Sequence, residues 1–223
     1  MALLGHGAVI IWNDIAPEGR EDFYDWHVNE HIPERVAIQG FLRGRRYMAV
    51  DNKTAPEFLT LYETDSTAVL SGADYLARLN APTPWTKRAT SHFRSTSRCL
   101  AQTILVKGQG VSHFMATLRI EHTEEGLALC RRLKDHADGL ATTFVRGEVT
   151  GLAVCLSEVE ISAIKTEESK GRTDILQPPI GALLIESVSE TALRDAVAET
   201  DRALAPQGDA AWGFYALEFS LAR

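Results

Sequence analysis

The feature that most constrains this chain is a succession of segments that occurs twice along its 223 residues. A short apolar, β-branched run, Ala8–Trp12, closed by Asn13-Asp14, reads as a strand. Pro17-Glu18-Gly19-Arg20-Glu21 then opens a helix, with proline and acids in its first turn. Pro33 is expected to end or break that helix, with a second short turn reaching Val36. Two strands follow, Phe41–Val50 and Phe58–Thr64, around a turn at Asp51-Asn52-Lys53. A helical period covers Thr67–Leu79, Pro82–Trp85 reads as a loop, and a fourth strand lies within Phe93–Leu105. From Ser112 the order restarts: a strand to Ile120, a helix capped by Thr123-Glu124-Glu125, and a strand Val149–Ile161. A polar hairpin loop at Lys165–Thr173, a strand Pro179–Glu186, a helix Glu190–Leu204 and a strand Trp212–Leu221 complete it.

Each half thus reads β-α-β-β-α-β, the ferredoxin-like order. Gln109-Gly110 is the natural boundary, which divides the chain into units 1–108 and 109–223. Two short matches accompany the repeat. Leu61-Tyr62-Glu63-Thr64 parallels Leu184-Ile185-Glu186-Ser187, and Glu30-His31 parallels Asp135-His136. A four-stranded sheet with helices on one face leaves the other face bare, and that face must be covered. The expected fold is α+β: two tandem ferredoxin-like units packed sheet to sheet as a barrel within one chain.

Composition narrows the function. A formal net charge of -7 argues against phosphate-backbone contact and hence against nucleic acid. Cys99, Cys130 and Cys155 are three in number, far apart and without a C-x-x-C pair, so a reducing compartment fits better than a disulfide framework. The apolar start lacks a basic leader region, and no run approaches the ~20 apolar residues that span a bilayer. The sequence therefore reads as cytoplasmic, with no membrane partner. A homodimer is compatible with it. There is no G-x-G-x-x-G, Walker loop, G-x-S-x-G or zinc knuckle, so no nucleotide or other cofactor is called for.

The densest chemistry lies in Trp26-His27-Val28-Asn29-Glu30-His31-Ile32-Pro33-Glu34-Arg35. His27 and His31 are four apart and share a helix face. Histidine moves its proton near neutral pH and is also a metal ligand. The string His27-Val28-Asn29-Glu30-His31 formally matches H-x-x-E-H. The peptidases that carry it use another fold and a distant acidic ligand, so that reading is set aside. A simple divalent site completed by His92 or Glu34 stays open. On the second strand, alternation places Arg46 with Leu42, Gly44 and Met48 on an apolar face. A buried arginine needs an anion: Glu30, Glu34 or Glu63 from the chain, or a substrate carboxylate. Gly44 leaves room there for a ligand or for a helix to pack close. Trp12 and Trp26 read as core. Tyr62 reads as a pocket residue, and Trp85, in its proline-rich loop, as a lid.

The chain resembles the dimeric α/β-barrel superfamily, with both units fused. Its first half resembles EthD-like proteins. The carrying residues are the strand ending in Asn13-Asp14, then Phe23, Trp26-His27, Glu30-His31-Ile32-Pro33, and Gly40-Phe41 before Arg43-Gly44-Arg45-Arg46-Tyr47. The second half departs from this pattern. It has Arg132 where His27 would align and no proline after His136, so its site reads as degenerate. The resemblance implies a pocket between the sheet and its covering helices, where a histidine acts on an acidic or enolisable small molecule.

The resulting expectation is an enzyme without nucleotide cofactor, performing proton transfer on a carbonyl or lactone compound by isomerisation, cyclisation or elimination. His31 would be the acid/base, with His27 assisting. Asn13, Glu30, Arg46, Tyr62 and Trp85 would hold the substrate. The rival is a non-catalytic, stress-associated module that binds haem or another ligand.

Overall fold

The structure, a computed structural model, describes residues 3–162, 164–170, 174–204 and 212–223, apart from the side chains of 136–138 and 140–144. Eight antiparallel strands close into one barrel. They are β1 Gly7–Ile15, β2 Phe41–Ala49, β3 Phe58–Thr64, β4 Phe93–Gly108, β5 Phe114–Ile120, β6 Val149–Ser157, β7 Gly181–Ser187 and β8 Trp212–Ala222. Around the barrel the order is β1-β3-β2-β8-β5-β7-β6-β4. The first four strands of the chain are therefore neighbours, as are the last four. The halves join at their edges, β2 with β8 (Arg45 opposite Ser220) and β4 with β6 (Ala101 opposite Ser157). This refines the expected sheet-to-sheet packing: the edges hydrogen-bond, so no strand edge is left open.

An eight-stranded barrel is just wide enough for side chains to fill. One buried cluster draws on all eight strands and so marks the lumen, with Trp12, Tyr47, Leu61, Met115, Cys155, Leu184 and Tyr215 among its members. Trp12 is core, as expected, and its indole donates to the Thr117 hydroxyl at 3.0 Å. The three cysteines are free. Burial pushes the Cys99 and Cys155 thiols up to about 12, which suits inert core residues.

One end of the lumen is ionic. Arg45 is fully buried and bridges Glu63 at 2.9 Å and Glu186 at 3.0 Å. Arg43 also reaches Glu63 at 2.7 Å. Glu63 was one of three carboxylates offered as a partner for Arg46. It faces the lumen instead, because alternation along β2 turns Arg43 and Arg45 inward and Arg46 outward. Glu63 and Glu186 are matching residues of the first of the two sequence parallels. Each also accepts a backbone N–H from the residues leading into the neighbouring strand, Leu4 at 2.7 Å and Ser112 at 3.1 Å.

Helices cover the outer face. In the second half α6 Glu124–Phe144 and α9 Glu190–Leu204 pack on β5, β6 and β7 through Leu129, Leu133, Leu193 and Val197. His136 falls on α6, but its side chain lies outside the described residues. In the first half the covering is more broken. A 3-10 turn Pro17–Gly19, α1 Arg20–Trp26, a π-helical turn His27–His31 and α2 Ile32–Val36 form one continuous helical run. Pro33 was expected to end or break the helix. It is carried within it because the preceding turn widens, with the Ile32 N–H bonding to the His27 carbonyl. The widening gives the proline ring the room that a regular turn denies it.

Beyond β3, the helical period at 67–79 divides at Ser71-Gly72 into α3 Thr67–Leu70 and α4 Ala73–Asn80. The segment expected as a proline-rich loop forms α5 Pro84–Ser91. Thr83 caps it by accepting the Thr86 N–H at 2.9 Å, and Pro84 sits where a missing N–H costs nothing. After β6, the expected strand to Ile161 stops at Ser157 and gives way to α7 Val159–Ser162. The expected hairpin loop contains a helical turn, α8 Glu167–Lys170. Among the described residues no helix is long and apolar enough to cross a membrane.

Candidate functional site

A cavity of about 250 Å³ lies outside the barrel, between the first-half sheet and its helices. Its floor is Ile11 of β1, Tyr62 of β3, and Thr96 and Arg98 of β4. His31 and Arg35 supply one wall, and Tyr75 and Leu79 of α4 another. The second half closes it with residues of α7 and α8 and with Ile175, Leu176 and Pro178. That last stretch is tied to β4: the Thr96 N–H donates to the Asp174 carbonyl at 2.9 Å, and the Leu176 N–H to the Thr96 carbonyl at 2.8 Å. The volume is slightly below the ~300–1,000 Å³ usual for drug-sized ligands, so it suits a small one.

Of the residues expected to act, His31 and Tyr62 line this cavity. His31 is buried, and its ring packs on the Trp26 indole with centroids 4.2 Å apart. The Tyr62 ring meets it edge-on at 6.1 Å. His27 is not in the cavity wall. It lies stacked between Phe23 at 5.0 Å and His31 at 5.6 Å, with Trp26 alongside at 5.5 Å. The π turn makes this ladder, since a wider turn brings residues four apart nearer to eclipsing. Burial, and then the nearby Arg46 charge, holds the His27 pKa well below the usual histidine range. His27 is therefore a neutral ring at neutral pH.

The other candidates are engaged elsewhere. Glu30 accepts hydrogen bonds from the Thr83 and Thr86 hydroxyls at 2.6 and 3.1 Å, which ties the π turn to the start of α5. Thr86 also receives the Trp26 indole N–H at 3.1 Å. Arg46 finds its anion in Glu218 of β8 at 2.9 Å, none of the three carboxylates expected, and lies 4.4 Å from the Tyr24 ring centre. Asn13 is buried beside a bulge between β1 and β4, with its amide on the Asp14 carbonyl at 3.3 Å. Trp85 is on α5 and not a lid over the cavity; its indole donates to Asp22 at 2.9 Å. Gly44 serves the second of its two expected uses. A Cβ there would stand 2.9 Å from Ile32 of α2 and 2.9 Å from Tyr62, so the helix occupies the space.

Arg35 was not singled out from the sequence. It lies four residues after His31, so the spacing that linked His27 to His31 could have flagged it. Its side chain is 3% exposed and pairs with Glu168 of α8. Burial opposes its charge, but the Glu168 carboxylate and the Tyr75 and Tyr62 hydroxyls outweigh burial and hold its pKa raised. Glu168 and Thr96 left no local signal, because they reach the cavity only through tertiary packing. Among the described residues, no cluster of three or more His, Cys, Asp or Glu side chains converges as a metal site would require.

No known protein family matches the chain, and no curated protein matches it in sequence. Solved structures do share its fold. An anthrone oxidase-like protein superposes with a TM-score of 0.61 at 10% identity, over 99% of this chain and 94% of that one. A candidate monooxygenase from Fusobacterium nucleatum gives 0.58 at 6% identity, over 99% and 96%. A haem-binding protein from Thermus thermophilus gives 0.51 at 13% identity, over 96% and 92%. The fold shared with these structures is α+β, an eight-stranded antiparallel barrel with helices outside it, closed here by a single chain. At these identities the likeness is one of fold.

Proposed function

We propose that this chain is a small-molecule enzyme whose chemistry centres on His31. The observation that carries the reading is the position of His31: buried in the wall of a partly open cavity and packed there against Trp26 and Tyr62. A histidine so held can take a proton from a carbon next to a carbonyl and return it elsewhere on the ligand. Isomerisation, cyclisation and elimination all share that step. His27 acts as a positioning residue, a neutral plate behind His31. Tyr62 borders the ligand, while Glu30, Arg46 and Trp85 support the helices that carry the histidines, and Asn13 stays within the sheet. Within the fold class, the Trp26-His27 and Glu30-His31-Ile32-Pro33 string favours an EthD-like member.

The chain is further read as a fused duplication of two ferredoxin-like units, 1–108 and 109–223. Each half contributes its strands in the spatial order fourth, first, third, second. The equivalent residues Glu63 and Glu186 converge on Arg45. The first half keeps the histidine site, and the second covers it.

The haem-binding neighbour raises a haem reading, which this cavity does not fit. The tetrapyrrole is larger than a space of about 250 Å³, and the Trp26 indole covers one side of the His31 ring at 4.2 Å. The proton-transfer reading is tested without knowing the substrate. Hydrogen–deuterium exchange next to the carbonyl is followed by NMR for a panel of cyclic ketones and butenolides. The wild-type protein is expected to accelerate exchange of at least one compound, and His31→Ala to reduce that by roughly 10²–10⁴-fold. Equal exchange by the two proteins removes His31 from the chemistry.

A further inference from the structure

The cavity differs in charge from the molecule around it. The chain carries a formal net charge of -7, yet Arg35, Arg98 and Lys165 line this space against one carboxylate, Glu168. Arg98 donates to the Tyr75 hydroxyl at 2.9 Å, and no carboxylate among the described residues forms an ion pair with it. Two buried polar atoms of lining residues, Nη1 of Arg35 and Oγ1 of Thr96, have no hydrogen-bond partner among the described residues. The nearest carboxylate to that Nη1 besides Glu168 is Glu34, at 3.8 Å. Both atoms are donors, and buried donors are rarely left unmet in native proteins. Most of the remaining lining is apolar or aromatic, with Ile11, Leu79 and Ile175 among it, beside the hydroxyl residues Ser162, Thr166 and Ser169.

We infer that Arg35 is the recognition residue for a small ring-bearing carboxylate, and that Glu168 is an internal carboxylate occupying the same guanidinium when no ligand is bound. The inference rests on reading the cavity as the ligand site, and it adds the ligand's class. A planar guanidinium has donors enough for a carboxylate in fork geometry, which a neutral ligand cannot match. Arg35 therefore takes the role that the sequence offered to Arg46. Glu168 belongs to the second half and Arg35 to the first, 133 positions apart, so the ligand contacts a junction between the halves. A ligand carboxylate and Glu168 compete for one cation, and weakening Glu168 should strengthen the ligand.

The test measures binding of benzoate and benzamide by isothermal titration calorimetry. Benzoate is expected to bind at least tenfold more tightly than benzamide. Glu168→Gln should tighten benzoate about tenfold and leave benzamide unchanged. The paired variant Arg35→Met/Glu168→Met removes both charges at similar volume, so it guards against a fold lost to one unpaired buried ion. In it the preference for benzoate should vanish. Equal affinity of the wild type for the two probes, no benzoate binding at millimolar concentration, or unchanged benzoate affinity in Glu168→Gln overturns the inference. Binding and not turnover is read, so failure here leaves the His31 assignment standing, and failure of the exchange assay leaves this one standing.

Discussion

His27 lies stacked between Phe23 and His31 with no hydrogen bond to its Nδ1 among the described residues, and its pKa is held well below the usual range by burial and then by Arg46. The unfolded chain protonates this residue near pH ~6.5, and the folded chain only at lower pH. Between those two values the unfolded state binds the extra proton. Stability contributed by the neutral ring is complete above about pH 6.5 and falls by about 1.4 kcal/mol per pH unit as pH drops through the window. His27→Phe keeps the ring and removes the titration. Urea unfolding at pH 5 and pH 7.5 should therefore show a smaller difference in the variant than in the wild type. An identical difference would place the acid sensitivity elsewhere. Both histidines were legible in the sequence, but their division of labour was not. Spacing puts His27 and His31 on one face, whereas only packing shows that one lines a cavity and the other stands behind it.

At the scale of elements, the site depends on how closely α2 approaches the sheet. Gly44 on β2 permits it, since any Cβ there meets Ile32 and Tyr62 at 2.9 Å. Gly44→Ala should cost about 1–3 kcal/mol, the usual penalty of overpacking, measured by chemical denaturation. Tyr62 borders the cavity, so the same variant should weaken benzoate binding as well; a variant as stable as the wild type would contradict the packing account. Much of the element pattern could be read in advance. The strand Phe58–Thr64 and the helix Glu190–Leu204 fall where periodicity put them, because one is a short apolar run and the other a capped amphipathic stretch. The misses have local causes. Thr83-Pro84 read as a loop, although threonine followed by proline is also how a helix starts. Pro33 read as a breaker, although a widened turn accommodates it.

Besides the β2–β8 and β4–β6 ladders, buried ions in the lumen link the two halves. Arg45 of the first half bridges Glu63 and, from the second half, Glu186. Burial raises the Glu186 pKa even with Arg45 beside it, so its charge depends on that partner. Arg45→Met should destabilise the protein by about 3–5 kcal/mol, because it leaves a buried carboxylate uncompensated. Adding Glu186→Gln should recover part of the loss, while Glu63 keeps its pair with Arg43 at 2.7 Å. Denaturation midpoints of the wild type and the single and double variants check this. A double variant no more stable than the single one would show that the uncompensated charge is not the cause.

The sequence by itself determined the class of fold and pointed to a helical run that borders a cavity. Apolar periodicity is a local property, so the repeated element order could be read directly, and the bare sheet faces it implied required a barrel. The clustering of His27 and His31 beside Trp26 is also local, and it lies on the helical run that borders the cavity. Which groups meet across the chain was decided only by tertiary structure. Alternation told that Arg43, Arg45 and Arg46 face different sides of β2, but barrel closure brought Glu186 to Arg45 and Glu218 to Arg46. Likewise Arg35 became a cavity residue only when α8, from the other half, carried Glu168 to it. Charges so distant in sequence leave no spacing to read, because their pairing is a product of the fold that buries them.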